Sequence, residues 1–129
     1  MTAHLVDMMP FAKSLGITLH EATAEKIVAE LNVRADLCTA GNILHGGAIM
    51  AFADSLGGIA GFLALPQGAK GTTTIESKTN FLGGAKVGDV VRAETTPLHS
   101  GKRTSVWQTT MSANGKPVAI VIQTQMVLT

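Results

Sequence analysis

Residues 42–65 read NILHGGAIMAFADSLGGIAGFLAL. The stretch opens with a polar, glycine-paired turn (Asn42, His45, Gly46, Gly47) and continues as a long apolar run in which Asp54 is the only charged residue. Leu, Ile, Phe, Met and Ala recur on every side of its helical projection, so no polar face remains. A helix that is apolar all round is buried in a core or in a bilayer. An ionisable group inside such a helix is costly unless it is paired, hydrogen-bonded or chemically employed. Asp54 is therefore the residue whose presence needs a physical reason.

The stretch from Gly46 to Leu65 is about long enough to span a bilayer. Against that use stand an aspartate near its middle, several glycines, and the lack of Lys, Arg or Trp anchors at its ends. A core helix is the expectation, with no membrane partner. The 129 residues suffice for one domain, 1–129, without a disulfide or metal staple. A formal net charge of +1 excludes the strongly basic character of a nucleic-acid binder. Four Phe, one Trp and no Tyr leave few platforms for stacking bases. The single cysteine, Cys38, cannot form an internal disulfide and fits a reducing compartment. The opening MTAHLVDMMPFAKSLG lacks the basic and continuous apolar regions of a signal peptide, so a cytoplasmic setting is expected. A mean hydropathy of +0.29 points to a subunit that buries surface against copies of itself.

Outward from the central helix, the apolar spacing of Leu5, Met8, Met9, Phe11, Ala12 and Leu15 predicts a short helix from Val6 or Met9 to Leu15, ended by Gly16. Ile17–His20 and Lys26–Val33 read as strands joined by a turn, and Arg34–Leu44 as a loop. Pro66 and Gly68 stop the central helix at 63–65. Four longer strands follow at 72–82, 89–98, 104–113 and 118–128, broken by glycine-rich turns. Asn114-Gly115 between alternating runs is a strong hairpin signal. The order gives an α+β fold, a curved antiparallel sheet wrapped around a central helix.

Leu44-His45-Gly46-Gly47 followed by Asp54 on the next helix resembles the signature of hotdog-fold acyl-CoA thioesterases, and the phenylacetate-degradation (PaaI-like) type in particular. Thr74-Ile75-Glu76, Asn80-Phe81-Leu82, Gly88-Asp89, Ser100-Gly101-Lys102-Arg103 and Asn114 to Ala119 fit the same pattern. The resemblance covers nearly the whole chain after Leu15. It implies a hydrolase of acyl-CoA thioesters, a hotdog dimer with its active sites at the subunit interface, and commonly a dimer-of-dimers homotetramer. It implies neither a metal nor a separate cofactor, coenzyme A being part of the substrate.

Thioester hydrolysis needs an activated water or a carboxylate nucleophile, and donors for the oxyanion of the tetrahedral intermediate. The first amides of a helix are such donors. By resemblance the oxyanion contact falls chiefly to the Gly46 amide, with Gly47 second; two glycines also permit close packing of the helix start. Asp54 lies eight residues on, roughly 12 Å along a helix axis, too far to act with Gly46 on one carbonyl. The Asp54 of one subunit would therefore face the Gly46 amide of the other, as general base or as nucleophile. A structural role for Asp54, held by Ser55 or threonine hydroxyls, is the plain alternative. His45 is expected to fix the loop or touch the thioester, with direct acid–base chemistry as its catalytic alternative.

Related enzymes carry an Asn or Gln six residues before the histidine; here that position is Thr39, and an amide stands instead at Asn42. Thr74 would supply a hydroxyl from the strand of the facing subunit. Asn80 and the turn Ser100, Gly101, Lys102, Arg103, Thr104 are candidates for coenzyme A, whose phosphates call for cations and free amides. The acyl group would be small or medium in size, aromatic ones included. A non-catalytic acyl-CoA-binding protein is the second reading, kept open by Thr39. An enoyl-CoA hydratase would need an Asp and a His paired in one short segment, which the sequence lacks.

Overall fold

The computed structural model describes residues 3–129. At the N-terminal end the expected single helix is two: α1 (Ala3–Asp7) and α2 (Pro10–Leu15). Met9 between them is extended, because proline disfavours helical backbone in the residue before it and opens the next helix at its first position. Gly16 ends α2 in the left-handed region at φ 81, its N–H bonded to the Lys13 carbonyl.

Strands β1 (Thr18–Ala22) and β2 (Ile27–Asn32) form a hairpin around Thr23, whose hydroxyl accepts from the Glu25 and Lys26 amides. The expected loop of residues 34–44 holds more structure than a loop. One short 3-10 turn (Ala35–Leu37) leads into a two-residue ribbon, β3 (Cys38–Thr39) against β4 (Ile43–Leu44), and a second (Ala40–Asn42) joins its strands. Gly41 and Asn42, both at positive φ, reverse the chain between its strands. The ribbon delivers the chain to α3 (Gly46–Leu63), after which β5 (Gly71–Phe81), β6 (Val90–Ser100), β7 (Thr104–Ala113) and β8 (Lys116–Leu128) follow. The six long strands make one antiparallel sheet in the order β1-β2-β6-β7-β8-β5. Asn114 (φ 54) and Gly115 (φ 76) join β7 to β8 by a two-residue turn whose twist suits a hairpin.

The helix α3 lies on the sheet and meets β2, β5, β6, β7 and β8. Phe52, Ala53, Leu56 and Ala60 on its inner side are fully buried, as are Ile27, Leu31, Val91, Trp107 and Val121 from the strands. Each large side chain so removed from water stabilises the fold by about 1.5–3 kcal/mol. The expectation of a helix buried all round needs correction. Met50, Asp54 and Phe62 are exposed on the other side of α3, because the sheet covers only one face of the cylinder. The chain thus leaves an apolar helix face uncovered, with its aspartate on it.

Two carboxylates away from this face brace the loops. Asp89 caps the turn before β6: the Lys86 amide donates to it at 2.9 Å and the Asn114 side chain at 3.2 Å, and these bonds hold its carboxyl below the usual range. The Arg34 guanidinium does the same for exposed Asp36 while also bonding the Ser14 and Leu15 carbonyls.

Candidate active site

On α3, Asp54 points to β5 and β8. Its Oδ1 accepts from the Thr74 hydroxyl at 2.6 Å and from Gln123 Nε2 at 3.3 Å. Gln125 Nε2 donates in turn to Thr74 Oγ1 at 2.5 Å, and the Thr72 hydroxyl donates to Gln125 Oε1 at 2.9 Å. Gln123 and Gln125 are each 1% exposed, although amides are rarely buried so fully. Space for them comes from two glycines one turn apart. A Cβ on Gly57 would fall 2.1–2.3 Å from the Gln123 amide, and one on Gly61 3.0 Å from Gln125 Cγ. The β5–β8 register slips between Thr74 and Glu76, so Ile75 is an extra residue beside the site.

Asp54 Oδ2 has no hydrogen bond among the described residues. Asp54 borders a cleft of about 490 Å³ walled by Met8, Phe11, Ile59 and Phe62, with Thr72, Thr74 and Gln125 at its polar edge. This is the size and character of a small-molecule pocket, mostly apolar with a few convergent polar groups. Among its lining residues Asp54 is the one charged side chain.

At the other end of the motif, His45 is the N-cap of α3 and its Nδ1 accepts from the Gly47 amide at 2.7 Å. That amide is already engaged, which corrects the expectation of Gly47 as a second oxyanion donor. The Gly46 amide has no acceptor among the described residues and stands at the helix start. A Cβ on Gly46 would meet the Phe81 ring at 3.1 Å, so glycine also lets that ring pack closely against the helix start. Gly46 therefore lies beside Phe81 while Asp54 lies beside Thr74, seven residues apart on β5. One chain does not bring the free amide and the carboxylate together.

The remaining candidates are dispersed. Thr74 serves the Asp54 of its own chain, so carboxylate and hydroxyl come from the same subunit. Ser55 donates to the Ala51 carbonyl and does not hold Asp54. Thr39 and Asn42 are exposed in the ribbon before α3, and the left-handed backbone of Asn42 accounts for an Asn at that position. Lys102 and Arg103 are exposed in the β6–β7 turn, where the Gly101 amide bonds the Thr104 carbonyl. Ser100 shares a cross-strand row with Ser105, Gln125 and Thr74, whereas Asn80 pairs with Ile120 toward the far end of the sheet. Cys38 is half-buried and donates to the Arg34 carbonyl. Among the described residues no group of three or more His, Cys, Asp or Glu could hold a metal.

The sequence signature of the thioesterase superfamily matches residues 41–120, from the turn before α3 into β8. The chain belongs to the thioesterase superfamily. This thioesterase is 31% identical over 115 residues to thioesterase PA1618 of Pseudomonas aeruginosa, a match covering 88% of this chain and 79% of that one. A crystal structure of a PA1618 mutant superposes with a TM-score of 0.89, at 28% identity and with 98% and 92% of the two chains covered. The 1,4-dihydroxy-2-naphthoyl-CoA hydrolase of Escherichia coli is 39% identical over 66 residues, which are 51% of this chain and 47% of the hydrolase. Escherichia coli PaaI, from the phenylacetic acid degradation operon, has the same fold with a TM-score of 0.86 at 22% identity, over 98% and 91% of the chains. The fold is the hotdog fold, and the activity that goes with the family is thioester hydrolysis.

Gln123, Gln125 and Gly57 are site residues that the sequence reading missed. Their signal was two glutamines at alternate positions of an otherwise apolar strand face. Such a pattern places polar groups in a core, where they need partners.

Proposed function

We propose that this thioesterase hydrolyses the thioester of a small or medium acyl-CoA, aromatic acyl groups included. The observation that carries the proposal is Asp54 at the wall of an apolar cleft, anchored through Oδ1 and open at Oδ2. The relative that acts on 1,4-dihydroxy-2-naphthoyl-CoA supports a coenzyme A ester with an aromatic acyl group. Asp54 Oδ2 either takes a proton from water as the water oxygen bonds the carbonyl carbon, or attacks that carbon itself. Both routes place negative charge on the carbonyl oxygen, which the Gly46 amide would receive, and its collapse breaks the C–S bond; in the first the proton taken by Asp54 passes to the departing thiolate, and in the second a water then hydrolyses the Asp54–acyl anhydride and supplies that proton.

A second copy of the chain completes the site. β5 is an edge strand with one unpaired backbone side, and an antiparallel copy could pair there, carrying its Gly46 end toward this chain's Asp54 end. The exposed apolar face of α3 supports the same dimer. Exposed Ile120, Ile122, Met126 and Leu128 on β8 favour a further pairing of dimers into a tetramer. Lys102 and Arg103 are assigned to the coenzyme A phosphates, and the cytoplasm to the enzyme's location.

The test is release of free thiol from a panel of acyl-CoA esters by wild type and Asp54→Asn. Asparagine keeps the size of the side chain and removes the base. A folded variant at least ~100-fold slower is expected. Equal rates in the two proteins would remove Asp54 from the chemistry. Slow turnover by both with retained binding would favour a binding protein, the reading that Thr39 in place of an amide supports.

A further inference from the structure

The hydrogen bonds behind Asp54 have one self-consistent direction. A carboxylate is an acceptor only, and a threonine hydroxyl has one proton to give. With Thr74 Oγ1 2.6 Å from Asp54 Oδ1, that proton goes to the carboxylate. Thr74 is then an acceptor toward Gln125, which must present Nε2. Gln125 Oε1 is thereby turned to Thr72, whose hydroxyl donates. Reversing the Gln125 amide would set its oxygen against a hydroxyl with no proton left to offer. Its side chain is 1% exposed and its stem packs closely under Gly61 of α3.

We propose that Gln125 is a positioning residue for thioester hydrolysis, acting through Thr74. Held by Thr72, it fixes the direction of the Thr74 hydroxyl, reserves Asp54 Oδ1 as an acceptor and leaves Oδ2 as the oxygen that meets water or substrate. The inference rests on the reading of Asp54 as the reacting carboxylate. A base whose two oxygens are made inequivalent starts each turnover from one orientation, which is how positioning lowers a barrier.

The test uses the full-length protein and the best acyl-CoA of the panel above, with kcat and KM measured for wild type, Gln125→Met, Gln125→Glu, Thr72→Val, Asp54→Asn and the double variant Asp54→Asn/Gln125→Met. Gln125→Met is expected to lower kcat by about 10- to 100-fold and to leave KM within ~3-fold of wild type. Thr72→Val, which removes only the lock, lowers kcat less. Gln125→Glu cannot donate when ionised, and it is expected to regain activity relative to wild type as the pH falls and the new carboxyl is protonated. Asp54→Asn/Gln125→Met is expected to be no slower than Asp54→Asn, because Gln125 works only through Asp54.

A wild-type kcat in Gln125→Met, with Asp54→Asn inactive, overturns this proposal and leaves the reading of Asp54 intact. An equal fall on both backgrounds overturns it too, since Gln125 would then act by general structure. A fully active Asp54→Asn removes the reading beneath it. Should Gln125→Met fail to fold, unchanged kcat in Thr72→Val together with a wild-type pH profile in Gln125→Glu overturns the proposal.

Discussion

Gly57→Ala would put a methyl group where the Gln123 amide already is. The added carbon falls 2.1 Å from Gln123 Cδ, 2.2 Å from Nε2 and 2.3 Å from Oε1, where ordinary contact needs about 3.5–4.0 Å. The amide must withdraw by roughly 1.5 Å to restore that contact, and its bond to Asp54 Oδ1, already 3.3 Å long, is lost. Gln123 has no path to water at 1% exposure, so its polar atoms stay buried without partners. Losing a hydrogen bond to a charged group costs about 1.5–3 kcal/mol, and crowding a packed site about 1–3 kcal/mol. Alanine's better helix propensity returns about 1 kcal/mol. The net expectation is a fold weakened by about 1.5–5 kcal/mol, with hydrolysis impaired as well. The neighbouring Gly58 makes the control: among the described residues no atom beyond its own stretch of helix lies within 4 Å of a Cβ there, so Gly58→Ala is expected to be neutral or stabilising by up to ~1 kcal/mol. Urea unfolding at one fixed protomer concentration, followed by fluorescence of the single, fully buried Trp107, measures both. A Gly57→Ala midpoint at or above that of Gly58→Ala, with thiol release intact, would refute the reasoning.

Asp89 is held below the usual carboxylate range by the Lys86 amide first and the Asn114 side chain second. A depressed carboxyl contributes stability above its unfolded value, near ~3.9, which is lost as the pH falls through the folded value. Asp89→Asn is therefore expected to unfold at lower urea than wild type at pH 7, and the gap is expected to close below about pH 4. Replacing Lys102 and Arg103 together by glutamine is expected to raise KM for acyl-CoA about 10-fold at low salt, with kcat held, and less at high salt. The same acyl group on a short phosphate-free thiol should show no such change; an equal rise there would separate these cations from phosphate recognition.

What the sequence disclosed was mostly local. The glycine-paired turn before the long apolar run and the stop at Pro66 fix the extent of α3, and the alternation around Trp107 and Val121 marks β7 and β8 as strands with one face inward. Asn114-Gly115 announces its own hairpin because both residues tolerate positive φ. The break at Met9-Pro10 was blurred because proline both opens one helix and separates it from another. The helical projection of α3 reported an apolar surface correctly, yet it carries no information about which side the sheet covers and which it leaves bare. Least visible was what holds Asp54. Thr74 came only through a family likeness, and Gln123 and Gln125 sit about seventy residues beyond Asp54 in sequence, brought back by a pairing that no local pattern encodes. Gly57 read as an ordinary small helix residue until the amide beneath it was in view.

The pairing of β5 has a consequence for how the molecule comes into being. β5 touches the rest of the sheet only through β8, and partners such as Gly71 and Leu128 lie at opposite ends of the second half of the chain. As synthesis proceeds, Asp54 and Thr74 emerge well before Gln123 and Gln125, so the carboxylate waits without its backing while α3 has only part of its cover. Closing so distant a contact is slow, because the loop entropy is lost before the pairing compensates for it. Strand β8, made after the other strands of this sheet, is thus the one that finishes both the sheet and the active site. A lesion in β8 should therefore surface first as failed maturation, with lost catalysis as its shadow.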